Sequence, residues 1–287
     1  MARSPAHRFG QIIGEALESA IRPPLEAITK QHGLYLDTKR PRKARAGKRK
    51  VVWVDGKGNT HDLDYVIEAG GTEETVGAPK AFIEIAWRRY TKHSRNKAQE
   101  IQGAIMPLAE RYADSRPFLG VVLAGVFTNG SLNQLRSHGF NVVYFPYESV
   151  VAAFAAVGVD ATFDEDTPDA HLLRKVKQYE RLHTAKKERI AASLRGRHRA
   201  DLDAFAAALR ATLTRQITSV YVLPLRGTAR TLEGVAQAIA YIESFDESAT
   251  DGALIRYEVG VRYSNGDEVR GQFRDKETAT VFLRSVR

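Results

Sequence analysis

A chain of 287 residues, 43% hydrophobic and 27% charged, is long enough to bury one large or two medium cores, which excludes disorder throughout. Cysteine is absent, which excludes disulfides, thiolate zinc sites and cysteine nucleophiles, and no apolar run approaches the ~18 residues of a membrane span. The formal net charge of +9 attracts polyanions, nucleic acid first and acidic lipid surfaces second.

The first stretch, MARSPAHRFGQIIGEALESAI, begins basic and continues as an amphipathic helix carrying two glutamates, unlike the apolar core of a signal peptide. No export is expected, and a cytoplasmic location follows. Ile12, Ile13, Ala16, Leu17, Ala20 and Ile21 form one stripe of a helix over about 9–31, which Pro23-Pro24 is expected to break or bend. Between Lys39 and Lys50 eight of twelve residues are Lys or Arg with no acid among them. That pattern suits a flexible arm lying along phosphates, with Arg42, Lys43, Arg45, Lys48 and Arg49 as its contacts. A solvated loop or a targeting signal is the alternative.

Val51 to Val54, a turn at Asp55-Gly56-Lys57-Gly58-Asn59, and His61 to Glu68 read as a β-hairpin, followed by a strand over 81–87. Ala98, Ile101, Ile105, Leu108 and Ala109 recur at helical spacing over about 93–112. The run FLGVVLAGVF then reads as a central strand covered on both faces. A short helix at 131–137, a strand at 141–145 and a helix at 147–157 complete a mixed sheet flanked by helices, the α/β class, ending near residue 160. Residues 161–215 read as a helical linker that contacts DNA, with one long basic helix to Leu194 and a break at Gly196. Residues 216–287 read as a small β-α-β-β-α domain. Its hairpin is marked by the alternation of Ile255, Tyr257, Val259, Val261 and Tyr263 and by the turn Ser264-Asn265-Gly266-Asp267. Four arginines, Arg256, Arg262, Arg270 and Arg274, fall on its outer side. No internal repeat is evident.

Chemistry concentrates in two strands. Alternation puts Asp62, Asp64, Val66 and Glu68 on one face of the first, while Glu84 is a lone acid in the apolar run Ala81-Phe82-Ile83-Glu84-Ile85-Ala86-Trp87. An acid so placed is costly unless it is paired, protonated or bound to a cation, so Asp64 opposite Glu84 suggests a shared ion. Oxygen ligands favour Mg²⁺, with Mn²⁺ as a substitute, and such an ion promotes attack of water on a phosphodiester. The rival reading is a salt-bridge pair with Arg88, Arg89 or Lys97 that only stabilises the fold.

An Asp at a strand end, then about twenty residues, then a Glu in an apolar strand followed by a helix resembles the PD-(D/E)XK nuclease superfamily, whose members include restriction enzymes. The matching segments are His61-Asp62-Leu63-Asp64-Tyr65, residues 81–87, and the helix with Asn96-Lys97-Ala98-Gln99-Glu100. The resemblance covers roughly residues 9–146 and implies a restriction-endonuclease-like core over 1–160. It also implies Asp64 and Glu84 as metal ligands, the carbonyl of Ile85 as a third, and a further acid from the first helix, Glu15 or Glu18. The position that holds the catalytic lysine in that family is Ala86 here. Lys97 is the expected replacement, with Lys80, Arg88 and Lys92 as alternatives. Arg88, Arg89 and Lys92 would meet DNA just beyond the strand, whereas Trp87 shares a face with Ile83 and Ile85 and reads as core.

The expected function is thus Mg²⁺-dependent cleavage of double-stranded DNA, site-specific in the manner of a restriction enzyme. With one site per chain, cutting both strands implies a homodimer. A structure-specific repair nuclease, or an inactive DNA-binding protein on a nuclease fold, are the competing readings.

Overall fold

The structure, a computed structural model, describes residues 4–248 and 254–286, and for Lys92 and His93 the backbone alone. The chain forms two compact units, Met1–Arg111 with Phe118–Arg210, and Tyr112–Pro117 with Ala211–Arg287.

The first unit opens with α1 (Pro5–Gln31), whose N-cap Ser4 accepts the amide of His7 while Pro5 stands in the first turn, where its missing N–H costs nothing. The predicted apolar stripe is buried along its whole length. The helix runs on through Pro23 and Pro24 rather than breaking there. Leu25 and Ile28 continue the buried face, and that burial offsets the hydrogen bonds the two prolines remove.

There follow β1 (Tyr35–Thr38), a 3-10 turn at Lys43–Arg45, β2 (Val51–Val54), β3 (Thr60–Leu63), β4 (Tyr65–Ala69) and β5 (Ala78–Arg88). Next come α2 (Thr91–Arg111), β6 (Phe118–Gly125), α3 (Asn129–Ser137), β7 (Asn141–Pro146) and α4 (Tyr147–Ala155). The unit continues through α5 (Asp169–Glu180), α6 (Thr184–Arg197) and α7 (Arg199–Leu213), the last crossing into the second unit. One five-stranded sheet runs in the order β1-β4-β5-β6-β7, antiparallel from β1 to β5 and parallel from β5 to β7. This is the mixed α/β class read from the sequence. β6 is central and almost wholly buried, as its uninterrupted apolar run requires.

Four local expectations change. The strand read over 61–68 is two strands, because the chain leaves the β2–β3 hairpin at Asp64 and enters the main sheet at Tyr65. β1 was not foreseen. The long basic helix breaks at Arg181–His183, whereas Gly196 lies inside α6. The segment expected as a helical linker packs through α5 and α6 onto α1, so up to Arg210 it belongs to the first unit.

The second unit comprises β8 (Ile217–Pro224), β9 (Arg230–Leu232), α8 (Val235–Ser244), β10 (Tyr257–Tyr263), β11 (Glu268–Phe273) and α9 (Lys276–Ser285). Its antiparallel sheet runs β11-β10-β8-β9, and the helices bury Ala238, Ile242, Ala279 and Leu283 against Val220, Val222, Val259 and Val261. With β9 present the unit is ββα twice over. The two central strands pair reciprocally, Val220 with Val261 and Val222 with Val259. On the outer side acids answer the arginines: Arg256 pairs with Glu258, and both Arg262 and Arg270 with Glu268. No helix among the described residues is long and apolar enough to cross a membrane.

Candidate active site

The site lies where β4 peels away from β5. Their pairing runs as far as Tyr65 opposite Ile83. One residue further, Asp64 turns out of register and caps the exposed strand edge, its Oδ2 accepting the Ile85 amide at 2.7 Å. Its Oδ1 receives Lys39 Nζ at 2.6 Å, and only 11% of the Asp64 side chain is exposed. Glu84, 8% exposed, lies beside it, and its Oε1 is buried without a hydrogen-bond partner. Burial first, and then the negative charge of Asp64, raise the Glu84 pKa well above the ordinary carboxylate range. Lys39 and Lys97 offset this only in part. Glu84 therefore keeps its proton at neutral pH in the protein by itself.

Lys39, at the end of β1, is the residue that sequence reasoning missed. Desolvation lowers its pKa, but the charge and hydrogen bond of Asp64 outweigh this and raise it, with Glu84 and Asp62 adding to the pull. It remains an ammonium. Its position depends on the segment after it, which is folded and is not the loose arm expected. Arg42 makes a bidentate pair with Glu68 at 2.8 and 2.9 Å, meets Asp37 at 2.9 Å, and donates to the carbonyls of Thr72 and Thr75. Its guanidinium carbon lies 4.2 Å from the centre of the Tyr35 ring. Arg42 and Glu68 are completely buried. Arg45 turns inward as well, to Asp37 at 2.7 Å and to the carbonyls of Thr38, Arg40 and Lys50.

These contacts correct several expectations. Arg42 and Arg45 are spent inside the fold and cannot lie along phosphates. Lys43, Lys48 and Arg49 stay at the surface, with Lys43 near Glu74 at 3.3 Å. Glu68 is not on a shared face with Asp64 but belongs to the Arg42 cluster, and Asp62 points outward to Lys50 at 3.5 Å. Glu15 is half exposed and paired with Arg8 at 2.8 Å, away from the carboxylates. Glu18, one turn on, is the acid of α1 that senses Asp64: desolvation and then the Asp64 charge raise its pKa. Lys97 influences Glu84, yet it pairs with Glu100 at 3.2 Å. The Ile85 N–H meets Asp64, and in an extended strand the carbonyl of the same residue faces that same edge, which β4 has left.

Arg88 and Arg89 are half-buried. Arg88 donates to the Trp87 carbonyl, while Arg89 donates to the Phe163 carbonyl at 2.6 Å and stacks on Tyr147 at 3.9 Å. The Lys92 side chain lies outside the described residues. His61 is held by Asp55 at 3.0 Å within the β2–β3 hairpin.

The donor set suits a hard divalent cation in one respect and limits it in another. Two adjacent carboxylates, one with an orphaned oxygen, are what Mg²⁺ asks of a protein that leaves the remaining ligands to water and phosphate. Among the described residues no group of three or more His, Cys, Asp or Glu side chains converges to hold a metal by itself. Comparison of the chain with protein-family models, with curated proteins and with solved structures finds no match.

Proposed function

We propose that this protein is a Mg²⁺- or Mn²⁺-dependent nuclease that hydrolyses phosphodiester bonds of double-stranded DNA at Asp64 and Glu84, with Lys39 supplying the ammonium. The observation that carries this reading is the buried, unpartnered Glu84 oxygen beside Asp64, with a lysine from another element closing the group. A buried acid held in a protonated, incompletely bonded state destabilises the fold, and such shortfalls mark function. The element order around it, with helix, antiparallel strands, helix and parallel strand, is the order the PD-(D/E)XK resemblance implies and supports the same reading.

A divalent ion bound there supplies a Lewis acid for the phosphate and lowers the pKa of coordinated water. The rest is the work of the chain. The Ile85 amide fixes one Asp64 oxygen and so sets the direction of the other. Glu84, its proton passed to solvent, would hold the ion together with Asp64. The Lys39 ammonium, held at Asp64, would face the negative charge that grows on a phosphate bound there. Lys97 offsets part of the Asp64 charge at Glu84. Restriction-type cutting by a cytoplasmic homodimer is the form of this activity that we favour, with the second unit taking part in recognition.

Supercoiled plasmid incubated with the protein and Mg²⁺ or Mn²⁺ should be nicked and linearised, and EDTA should stop it. Asp64→Ala and Glu84→Ala should bind DNA as before and cut at least about 100-fold more slowly. DNA binding without cleavage in either metal would falsify the enzyme reading. Sequencing the ends made on a long unmethylated DNA divides restriction, with one recurring sequence, from cutting at flaps or junctions.

A further inference from the structure

We infer that the β2–β3 ribbon of the first unit enters the major groove of duplex DNA and reads bases there with its outward face; the inference rests on the nuclease reading above. The two strands pair antiparallel, with Val52 opposite Asp62 and Val54 opposite Thr60. Alternation turns these four side chains to one face, and all four are exposed, the valines by 40% and 38%. The other face, with Val51, Trp53 and Leu63, is buried. Side by side, the two valines leave an apolar strip at the surface.

Three observations point to DNA as its occupant. The strip adjoins the proposed site: Asp64 follows β3 directly, two residues past Asp62 and roughly 7 Å along a strand. The Lys39 ammonium that pairs with Asp64 also feels the charge of Asp62, so the outward face and the site are neighbours. Cations then stand at both ends of the ribbon. Lys48 and Arg49 precede β2 and Lys57 lies in the turn, all three exposed and without an ion pair among the described residues, while Asp62 is met by Lys50 at 3.5 Å. Phosphates on either side of a row of base edges answer that pattern, whereas a second copy of the chain would bring the same cations against one another. Size agrees as well. Two strands about 4.8 Å apart fit a groove about 12 Å wide, where valine and threonine methyls can meet the 5-methyl of thymine.

The ribbon is held in shape before any DNA arrives. A two-stranded hairpin by itself is marginal in water, so its ties to the body of the unit matter. In the turn the buried Asp55 carboxylate accepts the amides of Lys57 and Asn59 at 2.8 and 2.9 Å, the Asn59 side chain at 3.0 Å, and pairs with His61 at 3.0 Å. Arg111 of α2 holds the carbonyls of Val54 and Asp55 at 2.7 and 3.1 Å, and Trp53 stands edge-on to Phe82 of β5 at 5.7 Å. A base reader fixed in this way to the strand that leads into Asp64 sets the distance between the sequence read and the bond cut.

The test recovers duplexes from a randomised library with the full chain and no metal, so that no strand is cut. The wild type should enrich one sequence containing thymine, and exchanging those thymines for uracil, which removes only the methyl, should weaken binding about fourfold for each methyl in contact. Val52→Gln with Val54→Gln, at exposed positions, should recover a different sequence with the melting temperature nearly unchanged. Lys48→Gln, Arg49→Gln and Lys57→Gln together should weaken binding to every sequence alike and lower the slope of log K against log salt by about three. Recovery of the wild-type sequence by the valine variant overturns the inference, as does a wild type that binds duplexes and enriches none. Conversion of a wild-type dimer to monomers by the valine variant without DNA also overturns it, since the face is then an interface between copies. A protein that selects a sequence through the ribbon and never cuts refutes only the nuclease reading, whereas one that cuts while its valine variant keeps the same sequence refutes only the ribbon.

Discussion

Two ionic clusters in the first unit draw their cations from one basic segment and end in opposite states. Around Arg42, both carboxylate oxygens of Glu68 are met, one of them also by the Gly77 amide. Asp37 is shared with Arg45, and the remaining guanidinium donors reach backbone carbonyls. Around Glu84, one oxygen has no partner and the acid is held in its protonated form. A buried ion network that satisfies itself is structure. One that falls short by a single ligand is prepared for something the chain does not supply.

That contrast can be broken from either side. The largest effect should come from Arg42→Ala, which strands Glu68 and Asp37 without their cation and should cost about 3–5 kcal/mol in denaturant unfolding, while Arg42→Met with Glu68→Leu should cost much less. If Arg42→Ala leaves stability unchanged, the cluster is not the structural one. Next in size, Lys39→Met should slow cleavage about 100-fold with stability nearly intact, and Lys97→Met should slow it less. The reverse order would return the lysine role to α2.

Smaller, and opposite in sign, is Glu84→Gln. The folded pKa of Glu84 lies above its unfolded value, so its protonated form stabilises the fold fully below the unfolded pKa, and this is lost as pH rises through the folded pKa. The glutamine variant should therefore be the more stable protein at pH 7–8, by about 1–3 kcal/mol, while losing cleavage. Its advantage should shrink toward pH 4, as thermal melts across that range would show.

The readable part of this molecule was what local pattern decides. Glu84 stood out because a lone acid in AFIEIAW has no cheap place in a strand, and the stripe of α1 and the apolar run of β6 follow from periodicity alone. What escaped is set by partners far along the chain. Lys39, Arg42 and Arg45 read as part of one flexible arm along phosphates, because nothing local distinguishes an arginine that will meet Glu68, 26 residues on, from one that will meet phosphate or water. The turn at Asp64 is a change of sheet and leaves no mark in alternation. Glu15 and Glu18 sit one turn apart, and only the packing of α1 decides that Glu18 faces the site. The ββα duplication was hidden because the strand Arg230–Leu232 is three residues long.

The most direct test of the account is the proton count on metal binding. Calorimetric titration of Mn²⁺ into the protein at pH 7.5, in two buffers of different ionisation enthalpy, should show binding with release of about one proton per ion. In Glu84→Gln that binding should be lost. Binding of Mn²⁺ that releases no proton, or that survives in Glu84→Gln, would contradict the claim that the protonated Glu84 beside Asp64 is the protein's metal ligand.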